Sequence, residues 1–298
     1  NPRFGGSYSI AKNKHLWFNY NGRNQLPSLT QIQPLRNNTE GLNLYEGNED
    51  LRPSFSNSAN VGYNSFQVLS GNYMYVGANI NMTNDPISQN ITQENGKNIY
   101  RWANIDGKTN KSFSLWGGQY FKLSKDLGLS NSPQVSVSLS ENYNFFDGEE
   151  NVVKSSNYSF TYQITRDTKT GLNFNLNFTP QYRKMTSNLR PDQNNNGSVE
   201  YFVTKTFKVY TNYNYTFEAA TEAFSQDLSR FLIHPGISKK FFKNESLMLD
   251  FTINDLLNQN IGYSRAQSNS VFVQRKYDTI QRYYMLKLSW DFNKMFVK

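Results

Sequence analysis

The chain contains no cysteine and only two histidines in 298 residues. The lack of cysteine excludes a disulfide framework, a thiol nucleophile and a cysteine-based metal site. His15 and His234 are far apart in the sequence, and neither has a second histidine at metal-ligand spacing, so no metal or other cofactor is expected. Gly-x-Ser-x-Gly, P-loop and dinucleotide-binding motifs are also missing, and the sequence therefore carries no recognisable catalytic signature.

Long apolar runs and charged residues are scarce as well. Hydrophobic residues make up 37% of the chain and charged residues 18%. No segment approaches the roughly 18 apolar residues of a membrane-spanning helix, which excludes a helical membrane protein. A transmembrane β-barrel stays open, because its strands alternate between apolar and polar residues. The net charge of +8 favours anionic partners such as outer-membrane lipid and lipopolysaccharide, but without a Lys/Arg run we expect no nucleic-acid binding.

Aromatic residues are abundant, with 22 Phe and 20 Tyr. Residues 171–183 show how they are arranged, because apolar and polar side chains alternate there with a period of two. Such alternation is typical of a β-strand that has one apolar and one polar face. The apolar positions are Leu172, Phe174, Leu176 and Phe178, and the polar positions are Asn173, Asn175, Asn177, Thr179 and Gln181.

The same alternation recurs along most of the chain and predicts roughly 13 strands. Most segments are close to the 9–11 residues that cross a bilayer when tilted. Residues 84–109 are expected to be irregular or to form a strand pair beyond the main sheet. The predicted strands are 2–11, 15–24, 55–67, 73–83, 111–124, 134–146, 155–167, 171–183, 198–206, 208–217, 229–242, 247–257 and 283–292.

The connections between these segments are expected to alternate strictly between short and long. This is typical of outer-membrane barrels, which have short periplasmic turns and long extracellular loops. The sequence therefore predicts an all-β fold, an antiparallel transmembrane β-barrel. An odd count of strands, with a first strand that descends from outside, predicts that residues 1–298 form one partial barrel domain, the C-terminal part of a larger barrel. A soluble β-sandwich is the alternative, but Ser, Asn, Thr and Gln on its inner face would not fill an apolar core.

Several local features qualify this topology. Glu141 lies on the apolar side of its strand and has no explanation in the sequence alone. Pro180 lacks a backbone donor, so we expect it near a strand end or a bulge. The segment Asp192-x-Asn194-x-Asn196-Gly197 matches half of a calcium-binding loop, but Val203 replaces the glutamate that would complete it. We interpret it as a polar extracellular hairpin loop, and Asp147-Gly148-Glu149-Glu150 as a solvated turn.

Two motifs resemble those of TonB-dependent outer-membrane receptors. The segment Gly47-Asn48-Glu49-Asp50-Leu51-Arg52-Pro53, which follows Leu26-Pro27-Ser28, resembles the Gly-Asn-x-x-Leu-x-Pro segment of these receptors. Two further segments are similar to the closing strands of such receptors in Bacteroidota: Asn254-Asp255-Leu256-Leu257-Asn258-Gln259-Asn260 and Arg282-Tyr283-Tyr284-Met285-Leu286-Lys287-Leu288-Ser289-Trp290-Asp291-Phe292-Asn293-Lys294. The resemblance spans nearly the whole chain.

The resemblance implies a 22-stranded barrel in the Gram-negative outer membrane that imports siderophores, glycans, peptides or cofactors with energy from the TonB complex. It also implies a plug domain, which would belong with the N-terminal strands to the same full-length chain and lies outside these residues. A surface lipoprotein is a further candidate partner. Two other functions are kept as alternatives: a barrel without import, acting as an adhesin or a subunit of an envelope complex, and an outer-membrane hydrolase. An enzyme is not expected.

Candidate ligand-binding residues lie in the long connections, which would be extracellular. Aromatic side chains offer contact surface, and guanidinium groups can bind carboxylate or phosphate. The alternative is that these residues only pack the loops over the barrel rim. The candidates are Tyr45, Arg52, Tyr100, Arg101 and Trp102.

Overall fold

A single antiparallel sheet of thirteen strands makes up most of the computed structural model, which describes residues 1–33, 37–40, 43–146, 148–185, 188–221, 224–268 and 271–292. Its strands are β1 (Arg3–Ala11), β2 (Lys14–Gln25), β5 (Ser54–Gln67), β6 (Asn72–Asn84), β9 (Thr109–Ser124), β10 (Leu129–Phe146), β11 (Glu149–Arg166), β12 (Gly171–Met185), β13 (Asn188–Thr204), β14 (Phe207–Glu218), β15 (Leu228–Phe241), β16 (Leu247–Asn254) and β19 (Tyr283–Trp290). The remaining elements are α1 (Leu29–Ile32), β3 (Asn37–Glu40), β4 (Asn43–Glu46), β7 (Ile87–Glu94), β8 (Lys97–Asn104), β17 (Gly262–Ser268) and β18 (Val271–Tyr277).

The strands of the main sheet follow one another in chain order, so the all-β, antiparallel prediction and the count of thirteen are confirmed. The sheet does not close, because β1 pairs only with β2 and β19 only with β16 among the described residues. Two smaller sheets are inserted: β3-β4-β8-β7, and the hairpin β17-β18. In the described part of the chain, no helix has the length and apolarity needed to cross a membrane.

The register of the sheet gives it one apolar and one polar face. Leu176 of β12 lies opposite Ile164 of β11 and Gly197 of β13, whereas Asn175 lies opposite Thr165 and Ser198. The same alternation holds from strand to strand, so each face is continuous across the sheet. The apolar face is largely exposed, including Leu172, Phe178 and Tyr182. This exposed aromatic and aliphatic surface needs a partner that is not water.

The two ends of the sheet differ in their connections. At one end, the turn end, every connection between sheet strands has two to five residues: 12–13, 68–71, 125–128, 167–170, 205–206 and 242–246. At the other end, the loop end, β2 connects to β5 and β6 to β9 through long segments that contain the smaller four-stranded sheet. The predicted strand pair within residues 84–109 is confirmed as β7 and β8.

The predicted strict alternation between short turns and long loops is wrong at two places. β10 and β11 have 18 residues each, and only residues 147–148 separate them. β12 and β13 are separated by residues 186–187, so the expected loop at 184–196 is mostly strand. An 18-residue strand is about 60 Å long, far more than a tilted bilayer crossing requires. In these two hairpins, β10–β11 and β12–β13, the strands stay paired beyond the height of a bilayer, although the composition of these residues suggests loops.

The calcium-like segment lies inside β13 and not in a hairpin loop, so that interpretation is wrong. Asp192 of this segment lies opposite Gln181 of β12, and its carboxylate Oδ2 is 3.8 Å from the guanidinium Nη1 of Arg183. In an extended strand, Asp192, Asn194 and Asn196 share a face but do not curve around one ion. Of the second segment, Asp147 lies outside the described residues, while Glu150 of β11 pairs with Lys108 at 3.4 Å.

Pro180 lies inside β12 and neither at a strand end nor at a bulge, which corrects the expectation. Its partner on β13 is Gln193, and the β12–β13 register is unbroken there. The β11–β12 ladder lacks only the steps between Ser159↔Gln181 and Tyr162↔Phe178, with the register preserved on both sides. The missing proline N–H therefore removes pairing toward one neighbour only, which the long strands tolerate.

Glycines on one strand receive aromatic rings from the next. A Cβ at Gly77 of β6 would lie 2.6 Å from the indole of Trp116 on β9, and one at Gly236 of β15 would lie 2.5 Å from the ring of Tyr210 on β14. Each ring thus occupies the space that a side chain at the glycine would fill. This packing fixes large aromatic side chains on the polar face without an apolar core beneath them.

Candidate functional site

The four-stranded sheet β3-β4-β8-β7, which we call the outer sheet, contains four of the five predicted ligand-binding residues. Its central pairing is parallel, between β4 of one long connection and β8 of the other. Tyr45 lies opposite Tyr100 and Glu46 opposite Arg101. Trp102 follows on β8, and Arg52 lies just outside the sheet, before β5. The fold therefore assembles residues from two connections that are about fifty residues apart in the sequence.

One face of the outer sheet combines aromatic rings and side-chain amides. The rings of Tyr45 and Tyr100 stack with their centroids 4.6 Å apart and their planes at 18°. Beside them, the Asn98 amide donates to Asn43 Oδ1 at 3.1 Å and accepts from Gln93 Nε2 at 3.2 Å. Flat apolar rings next to fixed amide groups form a surface that suits a ligand with both apolar and hydroxyl or amide groups.

The opposite face carries the ion pair of Arg101 and Glu46. The Arg101 Nε donates to Glu46 Oε2 at 2.6 Å, and the Glu46 side chain is only 13% exposed while that of Arg101 is 50% exposed. The hydrogen bond to Glu46 and the negative charge of that carboxylate raise the pKa of Arg101 above its ordinary value. Arg101 is therefore a permanent cation whose charge is already balanced within the sheet.

Arg52 is held in a similar way at the base of the outer sheet. Its guanidinium Nη2 forms an ion pair with Asp106. Its backbone N–H donates to Asn104 Oδ1 at 2.9 Å, and Asn104 Nδ2 donates to the Arg52 carbonyl at 3.0 Å. Nearby, Asn48 Nδ2 donates to the Trp102 carbonyl at 2.9 Å. These contacts tie the Gly47–Pro53 motif to β8 and explain why asparagine occupies positions 48 and 104.

A small apolar core and the long β10–β11 hairpin support the outer sheet. Leu51, Ile99 and Ile105 are buried, and Ile105 has no exposed surface. At the hairpin, the Gly148 N–H donates to Asn90 Oδ1 on β7 at 3.1 Å. The outer sheet is thus held in position at the loop end of the main sheet by its apolar core and by the β10–β11 hairpin.

The geometry bears on what the five predicted residues can bind. Tyr45, Tyr100 and Trp102 keep their aromatic surface on one face, as a ligand site would require. Arg52 and Arg101 already hold carboxylates, so an anionic ligand would have to compete with Asp106 and Glu46. The residues that the sequence did not single out are the amides Asn43, Gln93 and Asn98, because nothing in their spacing shows that they become neighbours.

The polar face of the main sheet is a second surface rich in hydrogen-bonding groups. The Tyr210 hydroxyl donates to Asp250 Oδ1 at 2.8 Å, and the Thr252 hydroxyl donates to the same oxygen at 3.0 Å. Lys208 Nζ pairs with Glu200 Oε2 at 2.8 Å. The Asn177 amide donates to Asn196 across the strand at 3.1 Å. A wall of this kind suits water or a polar protein domain, not lipid.

Two features of the described residues bear on catalysis and on metal binding. Ser9 Oγ lies 3.1 Å from His15 Nδ1 across the β1–β2 pair. Among the described residues, no carboxylate forms a hydrogen bond with this imidazole, so the third group that orients the histidine of a hydrolase site is not found there. In the same part of the chain, no group of three His, Cys, Asp or Glu side chains is placed to hold a metal ion.

Comparison with known proteins agrees with this geometry. The model of the Outer membrane protein beta-barrel family matches residues 2–290. The chain therefore belongs to this family, and its place is the outer membrane. A search of the curated proteins finds no match to it. Members of the family are typically non-enzymatic, in line with the absence of a catalytic motif from the sequence.

Because the chain belongs to this family, each face and each end of the main sheet can be assigned to lipid, the lumen, the periplasm or the extracellular side. The apolar face is the lipid-facing face, and the polar face is the lumen face. The ten steps along β12 from Leu172 to Tyr182 cover about 33 Å. A strand tilt of roughly 40° reduces this length to about 25 Å, the height of the apolar band in such barrels. The turn end corresponds to the periplasmic side and the loop end, with the outer sheet, to the extracellular side.

Proposed function

We propose that the chain is the C-terminal barrel portion of a TonB-dependent receptor of the Bacteroidota that takes up a siderophore, glycan, peptide or cofactor. The observation that carries this proposal is the unclosed sheet, in which β1 and β19 each keep one unpaired edge among the described residues. In lipid, unpaired backbone N–H and C=O groups cost several kcal/mol each. We therefore infer that further strands close the barrel, which would then have more than thirteen.

The lumen of a barrel with more than thirteen strands is too wide to be filled by side chains alone. Barrels of about eight strands are filled by side chains, those of 16–18 strands leave an aqueous channel, and 22-stranded transporters hold a plug. The lumen face offers fixed partners for a plug domain, such as Asp250 with Tyr210 and Glu200 with Lys208. The plug and the TonB complex that acts on it would be contributed through the N-terminal part of the full-length chain.

The outer sheet is the proposed first contact for the nutrient. Its position at the extracellular end would place Tyr45, Tyr100 and Trp102 above the lumen entrance, with Arg101 on the opposite face of the outer sheet and Arg52 at its base. A surface lipoprotein would meet the protein on this same side. The mixed aromatic and amide surface supports a polar ligand with apolar faces, which fits a glycan, a peptide or a siderophore.

The test is uptake by cells that carry the full-length protein. Labelled siderophores, glycans, peptides and cofactors are supplied to cells with and without a functional TonB complex. The proposal predicts that at least one of them enters only when the TonB complex is present. Uptake that is equal in both strains contradicts the proposal, and attachment to surfaces or cells without any uptake indicates an adhesin.

Two variants connect uptake to the outer sheet. Arg101→Ala removes the guanidinium that balances Glu46, whereas Lys97→Ala removes an exposed cation from the same strand without a described ion pair. We expect Arg101→Ala to reduce ligand binding and Lys97→Ala to leave it unchanged, with both barrels retaining their heat-dependent gel mobility. Unchanged uptake in Arg101→Ala would show that Arg101 only packs the loops and does not bind the ligand.

A further inference from the structure

A groove of about 600 Å³ lies on the lipid-facing face near the extracellular end. Its lower part is apolar and contains the neighbouring side chains Ile80, Phe113 and Leu139, which oppose one another on β6, β9 and β10. One step toward the extracellular end, the same three strands carry Met82, Lys111 and Glu141. Along β9 and β10 the lipid-facing surface therefore changes from apolar to charged within two residues, whereas β6 stays apolar at Met82.

Three lysines surround the charged part of this groove. Lys111 and Lys154 lie on either side of Glu141, on β9 and β11, and Lys184 lies on β12 opposite Ser156. All three line the groove together with the single carboxylate of Glu141. With three cations and one anion, the groove carries a net charge of +2.

Glu141 holds one of these three cations in place. Its Oε2 is 3.1 Å from Lys154 Nζ, and its Oε1 accepts a hydrogen bond from the Tyr143 hydroxyl at 3.0 Å. Lys111 and Lys184 make no ion pair with a described residue and are exposed. Glu141, which the sequence left unexplained on the apolar side, thus anchors one lysine and leaves the two others to face the membrane interface.

The position of this lysine cluster (Lys111, Lys154 and Lys184) along the strands shows which part of the membrane it contacts. Lys184 follows Tyr182, the last residue of the apolar band on β12, by one outward-facing position. Tyr182 lies opposite Tyr158 of β11, and tyrosines of this kind are typical of the interfacial girdle. The lysines therefore lie directly above the hydrocarbon boundary on the extracellular side, at the level of lipid headgroups. There, ammonium groups pair with phosphate, and the apolar lower part of the groove contacts acyl chains.

We propose that this groove binds lipopolysaccharide through the phosphate groups of its lipid A anchor. The net charge of +2 complements the negative charge of the phosphates, and Ile80, Phe113 and Leu139 receive an acyl chain below them. The site rests on the outer-membrane location and on the two faces of the sheet, and not on the proposed import function. Its role is to fix the barrel wall, and with it the base of the β10–β11 hairpin, to the outer leaflet.

The test uses the full-length protein reconstituted into vesicles of four compositions. These contain phosphatidylcholine alone or with lipid A, dephosphorylated lipid A, or phosphatidylglycerol at the same total charge as the lipid A. Binding is measured by energy transfer from the protein to a labelled lipid. The variant is Lys111→Gln/Lys154→Gln/Lys184→Gln. The control is Lys14→Gln/Lys239→Gln, which changes two lysines on the same face at the turn end.

The proposal predicts that the unaltered protein prefers phosphorylated lipid A over the three other compositions. An interfacial lysine contributes about a fivefold effect, so the triple variant should bind lipid A roughly a hundredfold more weakly. The control should bind as the unaltered protein does. Glu141→Gln raises the net charge of the groove to +3 and should tighten binding by about fivefold.

Several outcomes would overturn the proposal. Equal binding of phosphatidylglycerol would show adsorption to any anionic surface, and displacement by millimolar inorganic phosphate would show a site for free phosphate. Unchanged binding in the triple variant would show that the lysines take no part. If Glu141→Gln only lowers the temperature at which the folded gel band disappears and leaves lipid binding unchanged, the cluster is a structural ion pair.

Discussion

Replacing Leu176 with arginine places a charge at the middle of the apolar band of β12. Leu176 lies near the centre of the span from Leu172 to Tyr182 and faces lipid between Ile164 and Gly197. An arginine at the midplane of a barrel's lipid face costs about 2–4 kcal/mol of folding free energy. The cost falls toward the interfaces, so Tyr182→Arg, near the extracellular boundary, should cost about 1 kcal/mol or less.

The matched control is Asn175→Arg, one residue away on the lumen face. Asn175 Oδ1 accepts hydrogen bonds from Gln163 at 3.0 Å and Asn177 at 3.3 Å. Water can replace both bonds in a polar lumen, so we expect a cost of about 1 kcal/mol or less. Thr165→Arg, at the position opposite Asn175, is a second control on the lumen face.

The measurement is the free energy of unfolding from vesicles, obtained by urea titration of the full-length protein and monitored by heat-dependent gel mobility. Leu176→Arg should lose at least about 1 kcal/mol more of the free energy of unfolding than either control does. Equal losses at positions 175 and 176 would refute the assignment of one face to lipid and the other to the lumen.

Two other substitutions test the packing of the sheets. Gly77→Val should displace the Trp116 indole, lower the free energy of unfolding by about 1–3 kcal/mol and shift the tryptophan emission. Ala78→Val, on the opposite face, should have none of these effects. An unshifted emission spectrum in Gly77→Val would contradict the packing of the indole over the glycine. Arg101→Ala should cost about 1–3 kcal/mol of local stability, because the largely buried Glu46 loses its bound guanidinium. It should speed proteolysis within the outer sheet and leave the barrel intact; slow, unchanged cleavage would show that this ion pair does not hold the sheet.

The alternation of side chains was sufficient to predict the main sheet from the sequence. A period of two over segments such as 171–183 fixes both the strand and the residues that share a face, because neighbouring side chains must point in opposite directions. The alternation also distinguishes a barrel with a polar lumen from a sandwich with an apolar core. Neither conclusion depends on contacts between distant parts of the chain.

The strand limits at the extracellular end could not be predicted in the same way. Residues 188–197 are rich in Asn, Asp and Gly and have the composition of a loop, yet they pair with β12 on one side and from Asp192 onward with β14 on the other. Their strand conformation comes from backbone hydrogen bonds to these neighbours, which composition does not encode. The expectation that Pro180 lies at a strand end or a bulge was wrong for a related reason. The missing proline N–H interrupts only the ladder between β11 and β12, and the ladder between β12 and β13 remains.

The candidate site shows the same limit. The choice of Tyr45, Tyr100 and Arg101 rested on residue type within connections, and the structure places them in one sheet. The carboxylates that pair with the two arginines, Glu46 with Arg101 and Asp106 with Arg52, were not expected. The pairing of Arg101 with Glu46 joins residues 55 positions apart through a parallel bridge between two connections. The groove on the lipid-facing face could not be predicted either, since its three lysines come from three strands and become neighbours only through the register of the sheet.

The central claim, that the main sheet separates lipid from an aqueous lumen, is tested most directly by spin labels along β12. The chain has no native cysteine, so single cysteines at positions 171–185 can each carry a nitroxide in outer membranes. Collision rates with oxygen should peak at the even positions 172–182, and those with a water-soluble nickel complex at the odd positions. Equal access of the nickel complex to both sets of positions would contradict the account.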